Sequence, residues 1–135
     1  MAGLPPITVS SQDLERLYSL LDKLPADNFA SAVALENELL RARVLEPDEI
    51  PPDVVTMRSI VRFVISPSGK EFELMLCYPD EIDEHPNKVS ILAPIGVAIL
   101  GLSVGQEISW PAPGGDQVSV RIIAVTWQPE RVGMS

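Results

Sequence analysis

Few side chains in this 135-residue sequence are placed where they could perform catalysis. The one histidine, His85, lies beside Pro86 in an acidic stretch, which is typical of a solvated loop. A serine or cysteine nucleophile needs a base within hydrogen-bonding reach, and no other histidine is available to serve as one. The one cysteine, Cys77, falls in an alternating strand pattern that predicts a small buried side chain rather than a reactive thiol. We therefore expect no catalytic residues.

Metal and phosphate sites are also disfavoured by the residue pattern. One histidine and one cysteine are too few for a transition-metal site. The acidic run 80–84 offers oxygen ligands, but it lacks the glycine and the spacing of an EF-hand calcium loop, so we expect a solvated loop. The run 101–105 lacks the Gly-Lys-Ser/Thr ending of a phosphate-binding loop. The sequence predicts no metal and no cofactor.

A second acidic group surrounds a predicted turn between two helices. Asp27 and Asn28 follow Pro25 in that turn, and Asp22 lies about one helical turn earlier. We expect Asp27 or Asn28 to cap the second helix, because such side chains accept hydrogen bonds from free N–H groups. The alternative is that carboxylates exposed at the end of a rod hold a metal ion inside a partner's active site.

Charge and composition exclude several classes of function. The chain has 10 basic and 19 acidic side chains, a net charge of −9, which argues against direct DNA binding and against an anionic membrane surface. The longest apolar run, 91–104, is too short to span a bilayer and is interrupted by Pro94, Gly96 and Gly101. No secretory signal is visible, and a lone cysteine suits a reducing compartment, so we expect a cytoplasmic protein.

The elements that position these residues fall into two regions. In the first, residues 1–46, apolar side chains recur at helical spacing in two stretches. One helix is predicted from Ser10 or Ser11 to Pro25, and the other from about Phe29 to Leu45. A connecting turn this short makes the helices antiparallel, which predicts a short coiled-coil hairpin.

The second helix has a predicted buried face and a predicted solvated face. The buried stripe is expected at Ala32, Leu35, Leu39 and Ala42, widened by Val33, Leu40 and Val44. The solvated face is expected at Glu36, Glu38, Arg41 and Arg43. The arms are about 20–25 Å long, and their apolar area is small, so the hairpin should pack partly on the rest of the chain.

The second region, residues 54–135, follows a proline-rich linker at 47–53 and is typical of a sheet. A strand at 59–65 and an alternating stretch at 71–78 are joined by a turn, which predicts a hairpin. Further strands are predicted at 89–92, around Ile108 and Trp110, and at 118–127. With one short apolar helix, the pattern predicts an α+β domain with an antiparallel sheet.

The short helix has a feature that favours an interaction surface. Pro94 at its start and Gly101 after its end are typical helix boundaries. A helix of this apolarity is expected to be mostly buried. Its proline-led start also forms a rigid apolar ledge, with the exposed part expected at Leu92, Ala93 and Pro94.

The ordered set of motifs resembles the Rnk family, which is related to the bacterial Gre transcript factors. The resemblance rests on the strand-to-helix run Val89–Gly96, on Gly101-Leu102, and on the Pro113-Gly114-Gly115 turn before a long final strand. The run 53–57 and Trp110 fit as well, and a helix pair precedes them in the matching position. The resemblance covers nearly the whole chain.

This resemblance implies a regulator that binds RNA polymerase at the rim of its secondary channel. The C-terminal domain, FKBP-like in fold, would dock on the polymerase through Leu92, Ala93, Pro94 and Ile95, while the helical hairpin enters the channel. Because Leu92 and Ala93 stand where Gre factors carry polar residues, the dock is expected to be apolar. The full name of the family, regulator of nucleoside diphosphate kinase, implies an effect on that kinase.

Transcript cleavage is not expected from this resemblance. Gre factors bring Mg²⁺ to the polymerase active site with acidic residues at the tip of a much longer coiled coil. Here the hairpin tip, formed by Pro25, Asp27 and Asn28 with Asp22 nearby, has one carboxylate in the turn itself. A cleavage-silent competitor for the channel is the favoured interpretation; the alternatives are an active cleavage factor and an FKBP-like prolyl isomerase.

Overall fold

The computed structural model describes residues 6–24, 29–66, 68–82, 87–111 and 117–129. The helices are α1 (Ser11–Lys23), α2 (Phe29–Arg41) and α3 (Pro94–Ile99). The strands are β1 (Thr8–Ser10), β2 (Arg43–Leu45), β3 (Ile60–Ser66), β4 (Lys70–Cys77), β5 (Lys88–Ser90), β6 (Glu107–Pro111) and β7 (Gln117–Trp127). Short 3-10 turns lie at Pro47–Glu49 and Pro79–Glu81. The fold is therefore mixed α+β, as expected.

The start of α1 follows from its capping residues. The Ser10 Oγ accepts a hydrogen bond of 3.0 Å from the Asp13 N–H, which satisfies one of the free donors at the helix start. Asp13 and Lys23 lie at the ends of the helix where the dipole favours their charges. The predicted beginning at Ser10 or Ser11 is confirmed.

The predicted end of α2 is wrong by four residues. The helix ends at Arg41 rather than Leu45, and the next residues form β2, which pairs in parallel with β1. The Arg43 N–H donates to the Ile7 carbonyl at 2.9 Å. The partner of β2 comes from residues 7–10, which are distant in the sequence. The helical periodicity of α2 therefore could not predict that the helix would end at Arg41.

The faces of α2 also differ from the prediction. Leu35 and Leu39 are buried as expected, but Leu40 is 70% exposed. The solvated position expected for Glu38 is wrong, because this residue is buried and its carboxylate pairs with the Arg41 guanidinium at 2.5 Å. The expected widening of the stripe by Val33 and Val44 is likewise wrong, since both are exposed. The buried face is therefore narrower than predicted.

The main sheet has five strands in the order β5-β4-β3-β7-β6. The β3–β4 hairpin and the β3–β7 and β6–β7 pairs are antiparallel, but β4 and β5 are parallel. The prediction of a wholly antiparallel sheet is thus wrong at this edge. Strand β5 pairs with the last residues of β4, with Lys88 opposite Met75 and Ser90 opposite Cys77, and runs in the same direction.

One hydrophobic core draws on both regions of the chain. Its members before the proline-rich segment are Ile7, Val9, Leu17, Leu35 and Leu39. Its largest fully buried members after that segment include Phe63, Leu76, Ile91, Ile99, Leu100, Leu102 and Ile122. The helix pair therefore shares this core, with Leu17 and Leu35 buried at the middle of α1 and α2. Among the described residues, no helix is both long and apolar enough to cross a bilayer.

The segment that leads from the 3-10 turn at Pro47–Glu49 to β3 contains no regular strand. Val54 makes only an isolated bridge with Ser103, and the chain then turns at residues 56–59. The Gln128 Nε2 donates to the carbonyls of Pro51 and Val54, both at 2.8 Å. These bonds fasten the segment to the end of β7.

Candidate functional site

The apolar ledge, residues 92–95, lies where β5 leads into α3. The N–H groups of Leu92 and Ala93 donate to the hydroxyl and the carbonyl of Ser90, each at 3.0 Å. Leu92, Ala93 and Ile95 are half-buried, and Leu92 and Ile95 pack against the core. The ledge is thus held by its backbone and supported from below, while part of its apolar surface stays accessible.

Close packing behind the ledge depends on Gly96. A Cβ at this position would lie 2.1 Å from the Ser90 carbonyl oxygen, which is far inside van der Waals contact. The backbone of α3 therefore rests directly on β5, and no larger residue fits. Pro94 begins α3, as the sequence predicts.

The helix pair is short, and the structure describes only part of the predicted tip. Helices α1 and α2 have 13 residues each, so each is about 20 Å long. Asp22 is exposed near the end of α1. Pro25, Asp27 and Asn28 lie outside the described residues. Asp22 is therefore the one predicted tip residue whose position is described.

A buried carboxylate joins α1 to the sheet region. Asp13 is 5% exposed, and its Oδ2 accepts a hydrogen bond of 3.2 Å from the Met57 N–H. The backbone N–H of the same residue donates to the Ser10 Oγ, the group that caps the start of α1. A buried charge is costly unless it is hydrogen-bonded, so this hydrogen bond is a specific feature of the junction formed by Asp13, Met57, Arg58, Tyr78 and Glu81.

The residue after Met57 has an unusual backbone. Arg58 has a φ of 67°, in the left-handed region that residues with a Cβ rarely adopt. Its Nη2 and Nε lie 2.6 and 2.7 Å from the Glu81 Oε2, and its guanidinium carbon lies 5.4 Å from the centre of the Tyr78 ring. The ion pair and the cation–π contact together hold the strained residue in place.

The electrostatics of this junction follow from burial and from the close charges. Burial raises the pKa of the Tyr78 hydroxyl, and the negative charge of Asp13 raises that pKa further. Burial acts to raise the pKa of Glu81, but the hydrogen bonds from Arg58 and from the Tyr78 N–H outweigh it, and the pKa is lowered. The hydrogen bond to Glu81 raises the pKa of Arg58. At neutral pH the Arg58–Glu81 pair is therefore fully charged.

A cleft of about 580 Å³ lies between α1 and this junction. Arg16 and Lys23 line it from the helix, and Tyr78, Asp80 and Glu81 line it from the sheet region. Glu81 was expected in a solvated loop; that prediction is wrong for this residue, because it is ion-paired. The other acidic residues of that stretch, 83–84, and His85 lie outside the described residues.

Sequence reasoning missed the junction, although a signal for part of it was present. The tetrapeptide Pro-Asp-Glu-Ile occurs at 47–50 and again at 79–82. At both places a glutamate Oε1 accepts a hydrogen bond of 3.1 Å from the N–H that precedes the proline, and a 3-10 turn forms. The repeat could have predicted the turns. It held no sign that Arg58 would pair with Glu81.

Three features make up the candidate site: the apolar ledge, the short helix pair and the charged junction. Within the described ranges, no three histidine, cysteine, aspartate or glutamate side chains form a group that could hold a metal ion.

Comparison with known families matches the two regions separately. Residues 5–45 match the family described as the Rnk N-terminus. Residues 50–127 match the family described as the GreA/GreB transcription elongation factor C-terminal domain.

Comparison with individual proteins gives the same two relationships. The chain is 37% identical over 129 residues to a regulator of nucleoside diphosphate kinase from Escherichia coli (strain K12), covering 96% of this chain and 95% of that protein. It is 36% identical over 91 residues to the transcription elongation factor GreA of Geobacillus kaustophilus, covering 67% of this chain but 57% of GreA. The similarity to GreA is therefore confined to part of that protein.

A solved structure is similar over almost the whole chain. It is a GreA/GreB transcription elongation factor from Nitrosomonas europaea with 51% sequence identity and a TM-score of 0.72. The similarity covers 91% of this chain and 99% of that one.

Proposed function

Since the chain belongs to the Rnk family, the regulators of nucleoside diphosphate kinase that carry a GreA/GreB C-terminal domain, we propose that it regulates transcription by binding RNA polymerase. The family places it among transcription-factor-related regulators. The finer proposal is that it docks at the rim of the secondary channel and does not cleave the transcript. The observation that carries it is the combination of an Rnk N-terminus with a GreA/GreB C-terminal domain on one shared core.

The ledge is the proposed docking surface. Leu92, Ala93 and Ile95 are half-buried, and the backbone bonds to Ser90 hold them in place before any partner arrives. A preorganised apolar surface loses little conformational entropy on binding, which favours affinity. We propose that a polymerase segment buries the accessible part of these side chains together with Pro94, whose side chain lies outside the described part of the structure.

The charge of the chain supports the choice of partner. A net charge of −9 favours approach to a basic surface and speeds association with it. The same charge disfavours direct contact with DNA, because phosphate binding depends on lysine and arginine. We propose that the protein acts on polymerase rather than on the template.

The helix pair is proposed to occupy the channel without supplying chemistry. Each arm is about 20 Å long, and the turn contains one carboxylate, Asp27. A divalent cation prefers several oxygen ligands, so one carboxylate with Asp22 a turn away is a poor carrier for Mg²⁺. We propose that the protein competes with Gre factors for the channel and thereby affects nucleoside diphosphate kinase through transcription.

Several structural details belong to the same proposal. We propose that α1 and α2 form a short antiparallel coiled coil within residues 1–46, that 47–53 act as a linker, and that 54–135 form an FKBP-like domain. The proposed site of action is the cytoplasm.

Binding to polymerase is tested by co-purification with core enzyme at low salt. The double variant Leu92→Asp with Pro94→Ala is expected to lose binding, because a charge on the ledge would be desolvated in the complex. Ile123→Asp is the matched control, since Ile123 is a partly exposed apolar residue on β7 and receives the same charge. Failure of the unsubstituted protein to bind core polymerase would overturn the proposal.

The absence of cleavage needs a separate assay. The protein is added to a stalled elongation complex, and the length of the RNA is followed with and without a Gre factor. We expect no shortening by the protein alone and a dose-dependent block of Gre-stimulated cleavage. Shortened transcripts in the absence of a Gre factor would instead identify an active cleavage factor.

A further inference from the structure

Two hydrogen bonds fasten the base of the helix pair to the sheet region. The Thr8 N–H, in β1, donates to the Gly101 carbonyl at 3.1 Å, and the Met57 N–H donates to the Asp13 Oδ2 at 3.2 Å. The segments of Gly101 and Met57 are bonded to each other, because the Gly101 N–H donates to the Val55 carbonyl at 2.8 Å. The two bonds therefore attach the start of the chain to one continuous piece of the sheet region.

The spacing of these two bonds determines what they can hold. One lies in β1, and the other lies in the first turn of α1, with the Ser10 cap between them. A single attachment leaves the helix more freedom to pivot than two attachments on either side of the helix start, which together restrict the direction of its axis. The apolar contacts of Leu17, Leu35 and Leu39 add stability, but hydrophobic burial is not directional.

The turn that donates to Asp13 is itself rigid. The Thr56 N–H donates to the Ser59 Oγ at 2.9 Å, the two hydroxyls are 2.7 Å apart, and the Ser59 N–H donates to the Thr56 carbonyl at 3.1 Å. Arg58, at the third position, is held in the left-handed region by Glu81 and Tyr78. The Met57 N–H therefore points from a fixed turn toward a buried carboxylate.

From these contacts we infer that Asp13 is a positioning residue, which sets the direction in which α1 and α2 leave the sheet region. Its role in regulation rests on the proposed function: docking through the ledge would place the helix pair in the channel only if its direction is fixed. Because Asp13 is buried, it acts through the Met57 turn and not by contact with polymerase.

The test measures the direction of the helix pair without polymerase. Spin labels are placed on α2 and on β7 with Val33→Cys and Ile123→Cys, in a background where the buried Cys77 is replaced by Cys77→Ser. Pulsed electron paramagnetic resonance then gives the distribution of distances between the labels. We expect one narrow distribution, and a shifted or broader one when Asp13→Ala is added.

Two matched variants separate positioning from general damage. Asp13→Asn keeps a carbonyl that can accept the Met57 N–H, so it is expected to retain the narrow distribution. Glu15→Ala removes an exposed carboxylate from the same helix and is expected to change nothing. A distribution for Asp13→Ala identical to that of the unsubstituted protein would overturn the inference.

A further variant covers the case in which Asp13→Ala does not fold. Arg58→Gly keeps Asp13 and tolerates the left-handed backbone, but it removes the side chain that holds the Met57 turn. We expect a broader distribution here also. An unchanged distribution would again count against the inference.

The regulatory consequence is measured on core polymerase in competition with a Gre factor. If the direction of the helix pair matters, Asp13→Ala should still bind through the ledge, but about tenfold more of it should be needed to block Gre-stimulated cleavage. Equal potency at equal occupancy would contradict this role. If the unsubstituted protein does not bind polymerase, the proposed function fails, while the distance measurement still decides the role of Asp13.

Discussion

The carboxylate of Asp13 accepts a hydrogen bond of 3.2 Å from the backbone N–H of Met57, which lies 44 residues later in the chain. Both groups are buried, so neither has water as an alternative partner. This contact joins the start of the helix pair to the turn that leads into the main sheet. It also lies beside Arg58, whose backbone is held in the left-handed region.

Replacing Asp13 with alanine should destabilise the protein by about 1–3 kcal/mol, because the Met57 N–H would remain buried without an acceptor. Asp13→Asn should cost less, since its carbonyl can still accept the bond. Glu15→Ala, on the exposed side of the same helix, should stay within about 0.5 kcal/mol of the unsubstituted protein. Urea denaturation checks all three, and equal stability of Asp13→Ala and Glu15→Ala would contradict the prediction.

Two glycines with the same kind of backbone should respond differently to alanine. Gly101 has a φ of 79°, and a Cβ there would lie 2.7 Å from the Ile7 Cβ, whereas Gly105 has a φ of 89° with open space around it. Gly105→Ala should lower the free energy of unfolding by about 1–2 kcal/mol, because only the backbone becomes strained. Gly101→Ala should lower the free energy of unfolding by clearly more, because Ile7 and β1 must also move away from the added methyl group.

Thermal unfolding of the two glycine variants, followed by circular dichroism, measures this difference. A Gly101→Ala variant that is no less stable than Gly105→Ala would show that β1 does not pack tightly against Gly101. The comparison therefore tests the packing of the N-terminal segment on the sheet region.

Acid should weaken the contribution of Glu81 to folding. The pKa of Glu81 is lowered in the folded protein. At a pH above 4.5, the ordinary pKa of glutamate, the ion pair with Arg58 therefore contributes its full stabilisation. This stabilisation is lost as the pH falls through the lower pKa of the folded state. Glu81→Gln should therefore be less stable than the unsubstituted protein at pH 7, by less than about 1 kcal/mol for a partly exposed pair. The difference should shrink in acid.

Denaturation at a series of pH values measures this convergence. Glu73→Gln is the control, because Glu73 makes a longer and exposed ion pair of 3.8 Å with Arg62. A stability difference for Glu81→Gln that stays constant down to acid pH would exclude the ion pair as its cause.

Adjacent leucines on α2 should differ sharply on truncation. Leu39 is 3% exposed and belongs to the core, whereas Leu40 is 70% exposed. Leu39→Ala should cost about 2–5 kcal/mol because it leaves a cavity. Leu40→Ala should change the free energy of unfolding by no more than about 0.5 kcal/mol. Similar losses at both positions, measured by urea denaturation, would mean that the helix face is assigned incorrectly.

The sequence predicted those features that short stretches of chain decide. The start of α1 at Ser10, the β3–β4 hairpin and the proline-led start of α3 each follow from capping, alternation or turn residues within a few positions. The ordered motifs along the chain pointed to the Rnk family, and the comparisons confirm that membership.

The sequence did not reveal features that depend on distant partners. The end of α2 at Arg41 is set by pairing of β2 with β1, and β5 runs parallel to β4 because of how these two strands pair in the folded sheet. Of the predicted site residues, Leu92, Ala93 and Ile95 lie together on one ledge, and their role in docking stays a prediction.

Local patterns in the sequence thus determined where most elements begin and which turns connect them, because both depend on neighbours within a few residues. The order of motifs along nearly the whole chain indicated the family. Only the tertiary structure decided that Asp13 would be buried against Met57 and that Glu81 would pair with Arg58. These partners are 44 and 23 residues apart in the chain. The type of a charged residue does not identify its partner. Whether the side chain is buried therefore depends on which group the packing of the elements brings next to it.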